Sequence, residues 1–294
     1  MAWSVLAPKT LDELYKVLSG ISDTQSYVFR GHASASWDHL VPSLHRILPK
    51  GFPLGEQVLL EAKAIQVFRR HARSYVEVSE LEYFERILNS TTLMQHYGAP
   101  TRLLDWTVSP WVACYFAVQD RPDDDALIWA FNRDELEARN RKHKSSRVSD
   151  FARFEELASA NTVDEWLEAA TRAGKYISTF QYDYANPQMS AQQSLFTIAG
   201  QLGDNHDEAL TRSLPESWQT LKVIVPKQEK QRLRKRLFLM NVAPLNLFPN
   251  VDGVGLHIHE AIESGFELGG EGLVGRLEER IRERLGRRKR TQQT

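Results

Sequence analysis

Short apolar runs alternate along this chain with polar stretches of helical period, and residues of known local chemistry mark the boundaries. Thr10-Leu11-Asp12-Glu13 is a capping-box pattern and predicts a helix from Leu11 to about Gly20. Tyr27 to Arg30 predicts a short strand, with Gly31 allowing a close turn or the close approach of a ligand. Glu56 to about Ser74 has helical period, with Leu60, Ala64, Val67 and Phe68 predicted on one apolar face. A further helix is expected from Glu80 to Tyr97, stopped by Gly98 and Pro100. Arg102 to Trp106 predicts a strand. Ser109-Pro110 then supplies an N-cap and a first-turn proline for a buried helix from Trp111 to Val118.

The second half is less regular. Ala126 to Phe131 predicts a buried strand, and residues 133–174 an inserted helical layer with a looser connection at Lys144-Ser145-Ser146. Tyr176–Tyr182, Gln193–Ile198 and Leu221–Val225 are strand candidates. Lys227 to Asn241 reads as a basic helix, 244–250 as turn-rich and Val251 to Ser264 as helical. The last twenty residues predict a helix running into a frayed basic tail. Strands and helices mix without regular βαβ alternation, which argues an α+β fold over a doubly wound sheet. The expected organisation is one domain over residues 1–265 and a helix with a basic tail over 266–294.

Composition narrows the class. The chain has 294 residues, 42% of them hydrophobic and 26% charged, as in ordinary globular proteins. No apolar stretch reaches the roughly 18 residues of a membrane span, and the N-terminus lacks a signal-peptide pattern, so a cytoplasmic protein is expected. The one cysteine, Cys114, sits among apolar neighbours and reads as an inert buried thiol. Net charge is −1, yet residues 226–294 carry 14 Lys/Arg against 9 Asp/Glu. That excess sits in Lys227–Arg236 and Arg276–Arg290, and leaves a nucleic-acid-associated protein as one reading of the chain.

Two blocks place polar side chains inside core-like sequence: Tyr27-Val28-Phe29-Arg30-Gly31-His32, and Gln95 through Trp111. Burying such groups unpartnered is costly, so they point to a polar pocket. Arg30 offers a planar fork of donors suited to phosphate or carboxylate, the alternative being a structural ion pair with Asp105. His96 and Tyr97 end a helix beside a forced turn and are candidates to line the pocket. Arg102 and Asp105 are read as either a local ion pair or pocket residues. Thr107 and Ser109 bring hydroxyls to a helix N-terminus, a favourable place for an anion, with Ser109 as a plain N-cap as the alternative. No HExxH or His/Cys cluster is present, so no metal is expected. Gly270 to Gly275 matches GxGxxG but has no convincing strand before it and too little chain after it for a dinucleotide fold.

The same blocks resemble the FRG domain, named for the aromatic-Arg-Gly motif that here is Phe29-Arg30-Gly31. The likeness continues through Leu40-Val41-Pro42-Ser43-Leu44-His45-Arg46, Gln95–Ala117, Asn186–Phe196 and Leu247–Gly253. Gln188 and Ser194 depart from it, standing where relatives usually carry arginine and glycine. Members of this family turn up in bacteria and their phages.

A further resemblance is to the layout of ADP-ribosyltransferases: an aromatic-Arg-Gly strand, a Thr/Ser strand leading into Val112-Ala113-Cys114-Tyr115-Phe116-Ala117, and a Gln/Glu on a late strand. It implies an α+β fold with a mixed, mainly antiparallel sheet core of ADP-ribosyltransferase-like type, and NAD as substrate or ligand. On that layout Arg30 and Gln192 are the catalytic candidates. Phe29, Gly31, His96, Tyr97, Arg102, Asp105, Thr107 and Ser109 line the substrate. The resemblance therefore implies ADP-ribose transfer to a protein or nucleic-acid acceptor, or NAD hydrolysis, in a bacterial toxin or phage-defence setting. Gln192-Gln193-Ser194 carries no carboxylate where such enzymes have one. A non-catalytic module sensing a nucleotide or phosphorylated ligand on the same fold therefore stands beside the enzyme.

Overall fold

The apolar runs pair into one sheet. The computed structural model describes residues 3–24, 26–145, 149–181 and 187–264. Within them lie β1 (Ser4–Leu6), β2 (Tyr27–His32), β3 (Leu103–Thr107), β4 (Ala126–Asn132), β5 (Ile177–Phe180), β6 (Ser194–Ala199) and β7 (Thr220–Val225). Their order is β1-β7-β4-β2-β3-β6-β5. β1 runs parallel to β7, and the other neighbours are antiparallel. The architecture is α+β with a mixed, mostly antiparallel sheet.

The chain falls into two compact units, Met1–Val242 and Ala243–Thr294. The whole sheet belongs to the first unit. Side-chain alternation divides the core between its two faces. Leu103, Phe196 and Ile198 pack against the helices Leu54–Ala72, Ile87–His96, Ser149–Ser159 and Val163–Arg172. On the other face Val28, Leu104, Trp106, Trp129, Phe131 and Leu195 meet Ala209 and Leu210 of the helix His206–Ser213. β4 is buried at all seven positions, as its unbroken apolar run predicts.

Local chemistry fixes several helix ends as expected. The Thr10 hydroxyl accepts from Glu13 N, and the helix behind it runs Leu11–Ser22. Thr107 and Ser109 shape the next boundary: Ser109 Oγ accepts from Val112 N, and Pro110 opens the helix Pro110–Val118. Cys114 in that helix is fully buried, and burial pushes its thiol pKa up.

Three expectations need correction. The helix Leu54–Ala72 buries Val58, Glu61, Ala62 and Ile65, while Leu60 and Val67 are exposed. The buried stripe contains a glutamate because Arg102 meets it there, which an apolar pattern cannot show. The expected helix Glu80–Tyr97 is two pieces, a 3-10 segment Val78–Phe84 and an α-helix Ile87–His96, with Arg86 extended between them. Strand β1 and the helices Ser43–Ile47 and His206–Ser213 were not foreseen. The insertion comprises Arg133–Ser145, Ser149–Ser159 and Val163–Arg172. Ser146 of the expected loose connection, the late Gly-rich stretch and the basic tail lie outside the described residues.

In the second unit, helices span Pro244–Leu247 and Val251–Ser264. A Cβ on Gly253 would overlap the Phe248 carbonyl, and Gly253 N donates to Asn250 Oδ1 at 2.8 Å. The Leu-Phe-Pro…Asp-Gly likeness thus coincides with a tight helix-to-helix turn.

Candidate functional site

Strand β2 pairs with β4 through six residues but meets β3 at the single bridge Phe29↔Thr107. Arg30 spans the strands where pairing ends. Its Nη1 donates to the main-chain carbonyl of Asp105 at 2.7 Å, and its Nε donates to His32 Nε2 at 3.3 Å. Asp105 Oδ2 stands 3.7 Å from the same Nη1, an ion pair longer than a hydrogen bond. Arg30 thus pairs with Asp105 and also lines a pocket.

That pocket, of about 210 Å³, is lined by Arg30, Ser43, Arg46, Gln95, Gly98, Ala99, Leu103, Leu104 and Asp105. The helix Ser43–Ile47 brings Arg46 to it. Ser43 anchors that helix: its Oγ accepts from Thr101 N at 3.0 Å, and Leu44 N donates to Thr101 O at 3.1 Å. The Thr101 hydroxyl in turn donates to Gln95 Oε1, so the amide nitrogen of Gln95 remains free to donate. The Arg46 guanidinium makes no hydrogen bond or ion pair with any described residue.

Electrostatics give the site a positive bias. Burial lowers the Arg30 pKa from its ordinary value, Arg46 pushes the same way, and Asp105 opposes both. His32 is pulled down to about 3, first by burial and then by Arg30, and is neutral at physiological pH. Neutral His32 accepts from Arg30 at Nε2, and its Nδ1 lies 3.0 Å from Trp37 O and 3.1 Å from Trp129 Nε1. The imidazole therefore orients the arginine without adding charge.

The remaining candidates divide. Phe29 is fully buried, and a Cβ on Gly31 would overlap the Ala113 carbonyl. Both residues face the helix Pro110–Val118, across the sheet from Arg30. The expected ligand approach at Gly31 is corrected: helix backbone occupies that space. Arg102 does not pair with Asp105. It is 1% exposed and grips Glu61 through Nε and Nη2, with Nη1 on Gly200 O at 2.9 Å and Trp166 beneath the guanidinium. It stands outside the pocket as a structural residue, as do Phe29 and Gly31.

Thr107 Oγ1 donates to the Gln192 carbonyl at 2.7 Å and accepts from Ser109 N at 3.1 Å. Thr107 lies opposite Phe29 in the ladder, so its hydroxyl is on the face away from Arg30. Thr107, Ser109 and Gln192 thus form a cluster of their own, and none is among the residues lining the pocket. His96 and Tyr97 flank it in sequence between Gln95 and Gly98. Tyr97 Oη donates to Glu80 Oε2 at 2.8 Å, and burial with that carboxylate pushes its pKa up to about 12. Burial lowers the His96 pKa against the pull of Glu80 and Asp105.

Arg46, Ser43 and Gln95 are pocket residues that reasoning from element ends passed over. Ser43 and Arg46 lie inside the Leu40–Arg46 block and Gln95 opens the second, so the signal was present in sequence. The basic helix Lys227–Leu239 is largely engaged within the protein. Lys230 is 3% exposed and donates to the carbonyls of Ala33, Asp120 and Arg121, Arg232 pairs with Glu229, and Arg236 with Asp12. Among the described residues no group of three His, Cys, Asp or Glu side chains could hold a metal. None of their helices is long and apolar enough to cross a membrane.

Comparison with known families agrees with the motif. Residues 25–126 match the FRG domain, and the chain carries that domain there. The match spans β2, β3 and every residue lining the pocket. No curated protein and no solved structure matches the chain.

Proposed function

We propose that the first unit is a binding module for a phosphate-bearing ligand of the nucleotide class, held by Arg30 and Arg46. The observation that carries this reading is Arg46, without a partner among the described residues, lining one small pocket together with Arg30. Buried Arg102 is matched to a carboxylate and carbonyls; Arg46, which is exposed, has no such partner among the described residues. Gln95 adds a neutral donor. At about 210 Å³ the pocket is smaller than the roughly 300 Å³ at which typical ligand sites begin, so it suits one phosphorylated end of a larger molecule. NAD or ADP-ribose is the ligand suggested by the ADP-ribosyltransferase-like layout of the sequence.

A second reading is an NAD-using enzyme that transfers ADP-ribose or hydrolyses NAD, in a toxin or phage-defence role. One observation favours it: Asp105 supplies a carboxylate beside Arg30, where Gln192 offers only an amide. In this reading Asp105 offsets positive charge developing on the ribose, and Gln192 has no chemical part.

Calorimetric titration of the intact protein with NAD and ADP-ribose, with chromatography for released nicotinamide, separates the readings. Saturable binding without nicotinamide release supports the module; release that fails in Asp105→Asn supports the enzyme. No heat of binding for either ligand counts against both.

A further inference from the structure

The helix that carries Arg46 cannot hold its own place. Ser43–Ile47 is five residues long and has no side-chain cap, and so short a helix is unstable in isolation, so anchors from other elements fix it. Its first turn is tied to Thr101 through Ser43 Oγ and Leu44 N. Beyond Leu44, among the described residues, its side-chain hydrogen bond to another element comes from His45, whose Nε2 accepts from Gly203 N at 2.9 Å. The far side of that bond is itself anchored. Arg102 Nη1 donates to Gly200 O at 2.9 Å, Arg212 pairs with Asp204 at 2.6 Å, and Gly203 turns the chain at a φ of 91°.

Because Nε2 accepts, the neutral ring carries its proton on Nδ1, which is buried and without a partner among the described residues. A second proton would fill the Nε2 lone pair and remove the acceptor. Arg102, Glu61, Asp204 and His206 face the ring from the surrounding elements, and Arg46 follows it on its own helix. Burial, joined by Arg102, lowers the His45 pKa against the pull of Glu61 and Asp204. The ring is therefore neutral at pH 7.5 and charges only below about 6.5.

We propose that His45 is the positioning residue for Arg46: its bond from Gly203 N holds the guanidinium at the pocket, and acid weakens ligand binding by breaking that bond. The inference rests on the anion-binding reading above and adds to it a residue outside the pocket lining.

The test is calorimetric titration of the full chain with ADP-ribose at pH 7.5 and pH 5, for wild type, His45→Gln and His45→Leu, with thermal melting at each pH as the folding control. The diphosphate of ADP-ribose keeps its charge across this range, so a change in affinity reports the protein. Wild type is expected to bind about threefold to fivefold more weakly at pH 5, the worth of one hydrogen bond. Gln offers an amide oxygen to Gly203 N and does not titrate, so His45→Gln should bind as wild type does at pH 7.5 and lose about twofold or less in acid. His45→Leu should be about threefold to fivefold weaker than wild type already at pH 7.5. An acid loss that persists in His45→Gln belongs to another group, such as His96, and overturns the inference. Equal wild-type affinities at the two pH values, or His45→Gln no tighter than His45→Leu at pH 7.5, also overturn it, while wild-type binding at pH 7.5 leaves the anion site standing. No binding by wild type at pH 7.5 overturns both.

Discussion

Arg30 Nη1 donates to the main-chain carbonyl of Asp105 at 2.7 Å, across strands joined by the single bridge Phe29↔Thr107. The contact braces the mouth of the pocket, so Arg30 has a structural as well as a binding role. Arg30→Ala is expected to abolish measurable ligand binding. It should also lower stability by about 1–3 kcal/mol, the usual worth of hydrogen bonds from a charged donor. Chemical denaturation checks the second effect, and an unchanged midpoint would refute the bracing role.

Gly31 lies on the opposite face, against the Ala113 carbonyl. Gly31→Ala should destabilise the first unit by about 1–3 kcal/mol or more, since helix backbone rather than a mobile side chain must shift. Thermal unfolding tests this; a melting temperature within a degree or so of wild type would contradict it.

Glu61 and Arg102 form a buried ion pair that also holds Trp166 Nε1 at 3.0 Å. Glu61→Leu leaves the guanidinium uncompensated and should cost about 3–5 kcal/mol. The double variant Glu61→Leu, Arg102→Met removes both charges and should cost less than Glu61→Leu alone. Denaturant melts of the single and double variants decide, and a double variant worse than the single would contradict this account.

Acid should destabilise the first unit in a defined window. Burial holds His32 and His206 down to about 3 in the folded chain, against about 6.5 when unfolded. Between those values the unfolded state binds the extra protons, so stability is complete above pH 6.5 and falls as pH drops towards 3. The slope is about 1.4 kcal/mol per pH unit for each histidine. Urea melts at pH 7 and pH 5 measure it, and His206→Asn should make the slope shallower. A stability independent of pH across this window would show that the two rings are not held neutral.

What the sequence revealed and concealed follows from the range of each interaction. Thr10, Ser109-Pro110 and the apolar run of β4 act over a few residues, so their elements were legible. The buried role of Glu61 depends on Arg102, forty-one positions away, and the helical period instead marked Leu60 and Val67, which are exposed. Strand β1 is only three residues long and takes its order from β7 across the whole unit. The site was half legible. Arg30 and Asp105 stand where the two blocks meet, but Thr107 and Gln192 proved to bond each other, because strand alternation turns Thr107 away from Arg30. Arg46 lay in a block whose likeness was legible, but the sequence did not single it out within that block, since what distinguishes it is the lack of a partner among the described residues.

The central claim concerns Arg46, which has no partner among the described residues. Titration of ADP-ribose into wild type and Arg46→Ala, each checked by thermal melting, tests it most directly. The account predicts saturable binding weakened about tenfold or more in Arg46→Ala, the loss of one charge-assisted contact, at an unchanged melting temperature. Equal affinity in the two proteins, or a variant that fails to bind because it has unfolded, would contradict it.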